Sequence, residues 1–206
     1  SQYSRKYVLG DAMMSKSLVQ LHWDYLLLME KDLIEISETL ELDKANFAAF
    51  GPRILQLILA AGSELDVALK SFASIVAPES SANMSERPNM SDFKTMIADN
   101  ALEQFATATV KILRSDILLS PWACISEHPK MSIPWWDAYN KVKHKRTSNY
   151  SKATLEVGLN LVAALFIVDA YLAEASLERV PGFTQIIDWD HHRRMPQLEE
   201  YYATKL

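Results

Sequence analysis

One segment in the middle of the chain combines side chains that could act together on a phosphodiester: residues 132–146, which read SIPWWDAYNKVKHKR. His144 could accept a proton as a general base, and Asn140 could position a substrate. Neighbouring positive charges disfavour protonation of an imidazole, so they keep His144 able to accept a proton. The same cations would stabilise a phosphate whose negative charge grows in a transition state. The candidates for phosphate binding are Lys141, Lys143 and Arg146.

Such a group of side chains could activate a ribose 2′-hydroxyl against its own phosphate without a metal ion. The alternative is a solvated helix end, in which the cations only complement the negative end of the helix dipole. Charge and spacing alone leave both interpretations open.

Helical periodicity sorts this segment into two faces. At about 100° per residue, an apolar stripe is formed by Trp135, Ala138, Tyr139 and Val142. The opposite side carries Asp137, Asn140, Lys141 and His144. The pattern therefore predicts a helix that packs its aromatic side on a core and presents the imidazole outward.

Two further residues could support this site. Trp136 lies beside Lys143 on the predicted helix and could stack on a nucleobase, with packing as the alternative. Glu64, on an earlier helix, could orient His144 across the bundle or pair with a lysine. A carboxylate at the edge of a helix with no catalytic role is the alternative for Glu64.

Nothing in the sequence indicates a metal or another cofactor. Adjacent His191 and His192 point in different directions on a helix, and no carboxylate accompanies them at ligand spacing. There is no glycine-rich phosphate loop and no recognisable activated nucleophile. We therefore expect neither a cofactor nor covalent catalysis.

Composition limits the class of protein. The 206 residues carry a net charge of −5, which argues against nonspecific coating of nucleic acid but permits a local basic site. Cys124 is the single cysteine, so no disulfide can form within the chain, and a reducing cytoplasm is the expected location. The strongest apolar run, residues 161–168, is too short to cross a bilayer, so we expect a soluble protein that does not contact membranes.

In the first half of the chain, apolar periodicity predicts two long helices after 15 loose residues. The first runs from about Lys16 to Leu42 and the second from Arg53 to Val76, and the short connection predicts an antiparallel pair. The core stripe expected for the first helix is Leu18, Leu21, Tyr25, Leu28, Asp32, Ile36 and Leu40. Pro78 to Ser91 predicts a mobile loop.

The second half is predicted to be less regular until its last helix. A short helix from Asp92 to about Leu102 is expected to be capped by Ser91. Phe105 to Leu119 favours one or two short strands, with a helix as the alternative. Ser151 to about Ser176 predicts the most buried helix, and residues 178–206 a tail over the bundle.

The whole chain therefore predicts a single, mainly α domain. We expect a four-to-five-helix bundle over residues 1–177, with a small extended β insertion before the histidine-bearing helix.

These features resemble bacterial HEPN-like proteins. Those proteins are helical bundles in which a W-x-x-Y-N-x-x-K-H-x-R signature precedes a final long helix. Here the signature is matched by Trp136, Tyr139, Asn140, Lys143, His144 and Arg146. Glu64 and Lys70 on the preceding helix also fit, and the resemblance covers about residues 17–177.

The resemblance implies a metal-independent endoribonuclease that acts as a homodimer, with paired Arg-x(4–6)-His motifs meeting at the subunit interface. It also implies a bacterial stress, phage-defence or toxin–antitoxin setting, with an unidentified partner protein. Other members lack catalysis and serve as RNA-binding or dimerisation modules. In this chain Tyr139 stands five residues before His144, where an arginine is expected, so Arg146 would have to supply the cation.

Two hypotheses follow from the sequence. The first is an RNA-directed protein, an endoribonuclease or an RNA binder, that uses the side chains of the signature on its substrate. The second is a non-catalytic interaction module in which the signature forms a hydrogen-bonded corner. Burial of His144 separates them, because a shielded ring with a fixed partner supports the second and an exposed one among cations supports the first.

Overall fold

Nine helices and a three-stranded sheet make up the described part of the chain, which in this computed structural model comprises residues 16–100, 102–127, 131–180 and 182–189. The helices are α1 (Leu18–Ser37), α2 (Pro52–Val76), α3 (Ser81–Met84), α4 (Met90–Asp99), α5 (Glu103–Thr107), α6 (Cys124–Glu127), α7 (Pro134–His144), α8 (Arg146–Asn149) and α9 (Leu155–Ala175). The strands are β1 (Val110–Ile112), β2 (Leu118–Leu119) and β3 (Ile187–Trp189). The predicted mainly α class is confirmed. The 15 N-terminal residues and the tail after Trp189 lie outside the described part.

The centre of the fold is α9, which packs against α1, α2 and α7. It is apolar on nearly every side, and such a helix is stable in water only when other elements surround it. Gly158 faces α2, and a Cβ atom there would make ordinary van der Waals contacts with Leu57 and Ile58. Thr154 caps its first turn by accepting a hydrogen bond from the backbone of Val157. The prediction that this helix is the most buried is confirmed, although it starts four residues later than expected.

By length and composition, the whole of α9 is long and apolar enough to cross a membrane. The shorter apolar run 161–168 inside it, from which the sequence predicted no membrane span, is too short to do so. α9 is the one such helix in the described residues, and 83% of its most apolar window is buried inside the protein. Core helices of soluble proteins have the same length and composition, so this is weak evidence for a membrane span. The cytoplasmic location remains a prediction.

The buried face of α1 differs from the predicted one. Its buried residues are Val19, His22, Trp23, Leu26, Met29, Glu30, Leu33 and Ile36. Of the predicted stripe, Ile36 is buried, whereas Leu18, Leu21, Tyr25 and Leu28 are 42–54% exposed. Two apolar stripes run side by side on this helix, and the true one contains two polar residues. Both find polar partners across the fold, which is what makes their burial tolerable.

The segment predicted as a mobile loop contains structured turns. Residues 81–84 form α3, and Ala82 at its centre is buried. The next helix begins at Met90 and is capped by Asn89 instead of Ser91. Asn89 accepts a hydrogen bond from Ser91, and Asp92 accepts one from the backbone of Asn89. This reciprocal arrangement satisfies the backbone N–H groups of Asn89 and Ser91, so it is favoured over a cap at Ser91, two residues later.

The predicted strands are confirmed at β1 and β2, whereas the first three residues of that segment, 105–107, belong to α5. A third strand, β3, was not predicted and pairs antiparallel with β1, giving the order β2-β1-β3. One oxygen of Glu30 accepts hydrogen bonds from the backbones of residues 185, 186 and 187 at 2.7–3.1 Å. The indole of Trp23 donates to the carbonyl of Gly182. Contacts with α1 therefore hold β3, and the residues that lead into it from Gly182, beside β1.

Candidate functional site

The signature helix forms as predicted. α7 begins with Pro134 at its first position, where the missing N–H costs no helical hydrogen bond. Trp135, Tyr139 and Val142 are buried, which confirms the predicted inward face. The indole of Trp135 donates to the carbonyl of Pro121 at 2.9 Å, so the buried ring has its polar group satisfied.

Tyr139 takes a supporting position under this site. Its ring is 1% exposed and lies against Gly62 of α2, where a Cβ atom would come within 2.7 Å of three ring carbons. The ammonium of Lys143 lies 5.3 Å from the centre of the ring, within the range of a cation–π contact. The residue at the position of the expected arginine therefore anchors α7 to α2 and does not face a substrate.

The outward flank of α7 gathers four of the predicted site residues. Trp136, Asn140 and His144 follow one another at intervals of four residues, and Lys143 lies beside them on the helix. Trp136 and Asn140 are half-buried, and His144 and Lys143 are exposed. Among the described residues, neither Asn140 nor His144 has a side-chain hydrogen bond.

Trp136 is also part of an aromatic cluster. Its ring centre lies 5.0 Å from that of Tyr139 and 6.2 Å from that of Trp135. These contacts bury one part of the indole and fix its orientation, while another part stays accessible to solvent.

A tight corner follows the imidazole. The carbonyl of Lys145 accepts hydrogen bonds from the side chains of Asn149 and Ser148, at 2.9 and 3.3 Å. These bonds satisfy a free carbonyl at the end of α7 and turn the chain into α8. Residues 146–149 make one short helical turn.

The end of α7 is strongly cationic. The exposed cations next to His144 in the chain are Lys141, Lys143, Lys145 and Arg146, and a fifth, Lys152, lies in the 3₁₀ turn Tyr150–Lys152, which packs on α7. Among the residues that the structure describes, none of these five forms a salt bridge. The chain as a whole is acidic, so this end of α7 is a local positive patch on a negatively charged protein.

An aromatic pair next to this corner was not found from the sequence. Tyr150 follows α8 directly, and its ring meets that of Phe50 edge to face at 5.6 Å. Phe50 is 49% exposed and pairs through its backbone with Thr154. The signal that could have revealed it is an isolated aromatic residue directly before the Gly-Pro start of a helix.

Glu64 does not reach His144, and its predicted role there is wrong in this structure. Its carboxylate lies 2.6 Å from Nδ1 of His22 on α1. Nε2 of the same ring lies 3.0 Å from the hydroxyl of Ser71. A neutral ring with its proton on Nδ1 donates to Glu64 and accepts from Ser71, which satisfies both nitrogens.

This cluster has the connectivity of a serine–histidine–carboxylate relay but lacks the rest of a hydrolase site. Ser71 lies inside α2, where the neighbouring backbone N–H groups are used by the helix itself. No backbone donors are therefore left there to bind an oxyanion. The arrangement is a buried polar bridge that joins α1 to α2.

A buried carboxyl lies near the bridge. Asp169 on α9 is 1% exposed, and neither of its oxygens has a hydrogen-bond partner among the described residues. Burial raises the pKa of Asp169 well above its usual range, and the negative charge of Glu64 raises it further. Burial also raises the pKa of Glu174 on the same helix.

The described residues contain no group of three or more His, Cys, Asp or Glu side chains that could hold a metal ion. His191 and His192 lie outside the described part. The expected absence of a metal stays a prediction.

Comparison with protein-family models, curated proteins and solved structures gives no match to this chain. The fold and site define a helical domain with a small antiparallel sheet and an exposed cationic corner. The resemblance to HEPN-like proteins remains a prediction from the signature residues.

Proposed function

We propose that this chain is a HEPN-like, RNA-directed protein of a bacterial stress or phage-defence system, and that it binds RNA at the cationic end of α7. The observation that carries the proposal is a group of five exposed cations at and just after the end of α7, beside the exposed His144, none of which forms a salt bridge with another described residue. On an acidic protein, such a cluster attracts a polyanion to one place.

Single-stranded RNA suits this surface best. Lys141, Lys143 and Arg146 would contact phosphates, and the accessible part of Trp136 or the exposed ring of Phe50 would stack on bases. Bases of a duplex are already stacked on each other, so flanking aromatic rings favour loops and single strands.

Cleavage is the stronger form of the proposal. His144 would take the proton of a ribose 2′-hydroxyl, the 2′-oxygen would attack the adjacent phosphorus, and the 5′-oxygen would leave with a proton from water. Asn140 would hold the substrate, and Arg146 would stabilise the phosphorane charge in place of the missing arginine. No metal is needed for these steps.

The alternative is a non-catalytic module with a structural signature. The burial of Tyr139 and the contact between its ring and that of Trp136 support a structural role for the aromatic half of the signature. The polar half of the signature does not form a structural corner, because His144 is exposed and lacks an intramolecular partner in the described region. This division of the signature favours the RNA-directed hypothesis.

The test is binding of a labelled single-stranded RNA in EDTA, followed by fluorescence anisotropy. A triple variant, Lys141→Gln, Lys143→Gln and Arg146→Gln, should bind at least about tenfold more weakly and with a smaller salt dependence. The matched control removes two exposed lysines and one exposed arginine elsewhere, through Lys44→Gln, Lys111→Gln and Arg114→Gln. Equal losses in both variants would show that the binding follows net charge and not this site.

A further inference from the structure

A groove of about 280 Å³ lies between the first turns of α7 and α9. This volume is just below the range of about 300–1,000 Å³ that is usual for sites of drug-sized ligands, so the groove suits a single small ring system. The lining residues that matter for its chemistry are Pro121, Pro134, Trp135, Glu156, Val157 and Asn160. None of these six residues belongs to the cationic corner at the other end of α7.

Two polar groups of α9 line the groove. Asn160 is the single polar residue between Glu156 and Asp169 in an otherwise apolar helix. Its amide donates one N–H to the carbonyl of Glu156 at 2.9 Å, which leaves its second N–H and its oxygen for another partner. Within the described ranges, the carboxylate of Glu156 forms no salt bridge and no hydrogen bond. The groove therefore contains an unused carboxylate and an amide one helical turn apart.

The rest of the lining that these residues provide is apolar. Pro121 and Trp135 are buried, and the hydrogen bond from the indole to the Pro121 carbonyl fixes this wall. Val157 is half-buried beside the two polar groups. A flat ring with apolar faces and a polar edge matches such a lining, because its faces meet the apolar walls while its edge meets the hydrogen-bonding groups.

We propose that this groove binds the base of a guanosine nucleotide in the single-stranded RNA that the cationic corner holds. The inference rests on the proposed function and names the base that the site selects. The Watson–Crick edge of guanine has two donors side by side, N1–H and the N2 amine, and the two oxygens of Glu156 accept both. The remaining N–H of Asn160 donates to O6 of the same edge.

The other bases do not satisfy this pair of side chains. Adenine has one donor beside a ring nitrogen that accepts, and cytosine and uracil each have one donor and two acceptors on this edge. Each of them would turn a lone pair toward the carboxylate of Glu156. A site built to hydrogen-bond an N–H group rejects a ligand that lacks it, because its own polar groups are then left without partners.

The groove lies along the same side of α7 as two of the cations. Lys141 and Lys145 come seven and eleven residues after Pro134, close to two and three full turns, so all three residues share one side of the helix. The two lysines are about 10 and 16 Å from Pro134 along the helix axis. Stacked nucleotides rise about 3.4 Å each, so a strand held by these lysines reaches the groove within about three to five nucleotides.

The first test compares short oligouridine RNAs that carry one guanosine, inosine or adenosine at the same central position. Fluorescence anisotropy in EDTA should show that the guanosine RNA binds about tenfold more tightly than the adenosine RNA. Inosine lacks the N2 amine and should fall between them. Glu156→Gln replaces one acceptor with a donor and should abolish the preference. Glu79→Gln is the matched control, because Glu79 is exposed and does not line the groove, and it should keep the preference.

The second test separates the groove from the cationic corner. The triple variant Lys141→Gln, Lys143→Gln and Arg146→Gln should bind all three RNAs more weakly but keep the same ratio between them. Saturation-transfer NMR with free guanosine should show contact with the wild type and the triple variant, and none with Glu156→Gln.

The outcomes that would overturn the two proposals differ. Absence of RNA binding by the wild type would overturn the proposed function. Equal binding of the three RNAs would overturn the guanine subsite and leave the proposed function intact. Absence of guanosine contact with the wild type, or a contact that survives Glu156→Gln, would also overturn the guanine subsite.

Discussion

Tyr139 packs its ring directly on the backbone of Gly62, closer than any other residue type at position 62 would permit. Glycine inside a helix costs about 1 kcal/mol relative to alanine, so α2 is weakened at this point. In return, the missing side chain lets α7 approach α2 closely, and this contact sets the positions of Asn140 and His144.

Gly62→Ala should therefore destabilise the protein in spite of the better helix propensity of alanine. Its Cβ would lie 2.4–2.7 Å from three ring carbons of Tyr139, and the ring must move. We expect a loss of about 1–3 kcal/mol in the free energy of unfolding, measured by denaturant titration. Gly51→Ala is the control, because nothing lies within 4 Å of its Cβ. Equal stability of both variants would disprove the tight contact.

His144→Ala should leave the stability almost unchanged, because the ring is exposed and makes no hydrogen bond to the described residues. The expected change is within about 0.5 kcal/mol. Tyr139→Ala, by contrast, removes a buried ring and should cost about 3–5 kcal/mol. Thermal melting of both variants checks this division of the signature. A large loss of stability in the histidine variant would favour the structural-corner hypothesis.

If the proposed cleavage occurs, His144→Ala should abolish it in EDTA while RNA binding changes by less than about threefold. Separate measurements of binding and of cleaved product distinguish the two roles. Unchanged cleavage would remove the imidazole from the mechanism. Absence of cleavage by the wild type, with binding intact, would leave an RNA-binding protein.

The polar bridge between α1 and α2 should contribute to stability. Ser71→Ala removes one hydrogen bond to the buried His22 ring and should cost about 1 kcal/mol. Removal of the ring itself, by His22→Ala, leaves a cavity and an unpaired Glu64 and should cost about 2–4 kcal/mol. Ser74→Ala is the control on the same helix, because Ser74 is exposed. Denaturant titrations in which all three variants match the wild type would contradict the bridge.

Asp169 should make the protein less stable as the pH rises. Well below pH 4, its carboxyl is protonated in both the folded and the unfolded state and has no effect on the free energy of unfolding. Above that pH, the unfolded chain ionises while burial and Glu64 keep the folded group protonated, so the free energy of unfolding falls until the raised pKa is reached. The slope is at most about 1.4 kcal/mol per pH unit.

The neutral variant Asp169→Asn lacks this titration. Its stability relative to the wild type should therefore increase between pH 4 and pH 8. Glu174 remains in both proteins, so the difference between them isolates Asp169. A difference that stays constant over this range would mean that the carboxyl ionises in the folded state.

The sequence by itself determined the helices whose periodicity is unambiguous. In α7 a single apolar stripe faces a single polar one, so the inward position of Trp135 and the outward position of His144 followed from local spacing. In α9 the apolar residues cover every side, so central burial was the only stable arrangement in water.

The tertiary structure decided everything that depends on which surfaces meet. α1 has two adjacent apolar stripes, and packing against α2 and α9 selects the stripe that contains His22 and Glu30. The sequence alone could not select it, because the hydrogen-bond partners of His22 and Glu30 come from distant parts of the chain. The same long-range pairing assigns Glu64 to His22 instead of His144. Local periodicity shows which residues share one face of a helix. It does not show which residue of another element packs against that face, and that residue determines whether a buried polar group has a hydrogen-bond partner.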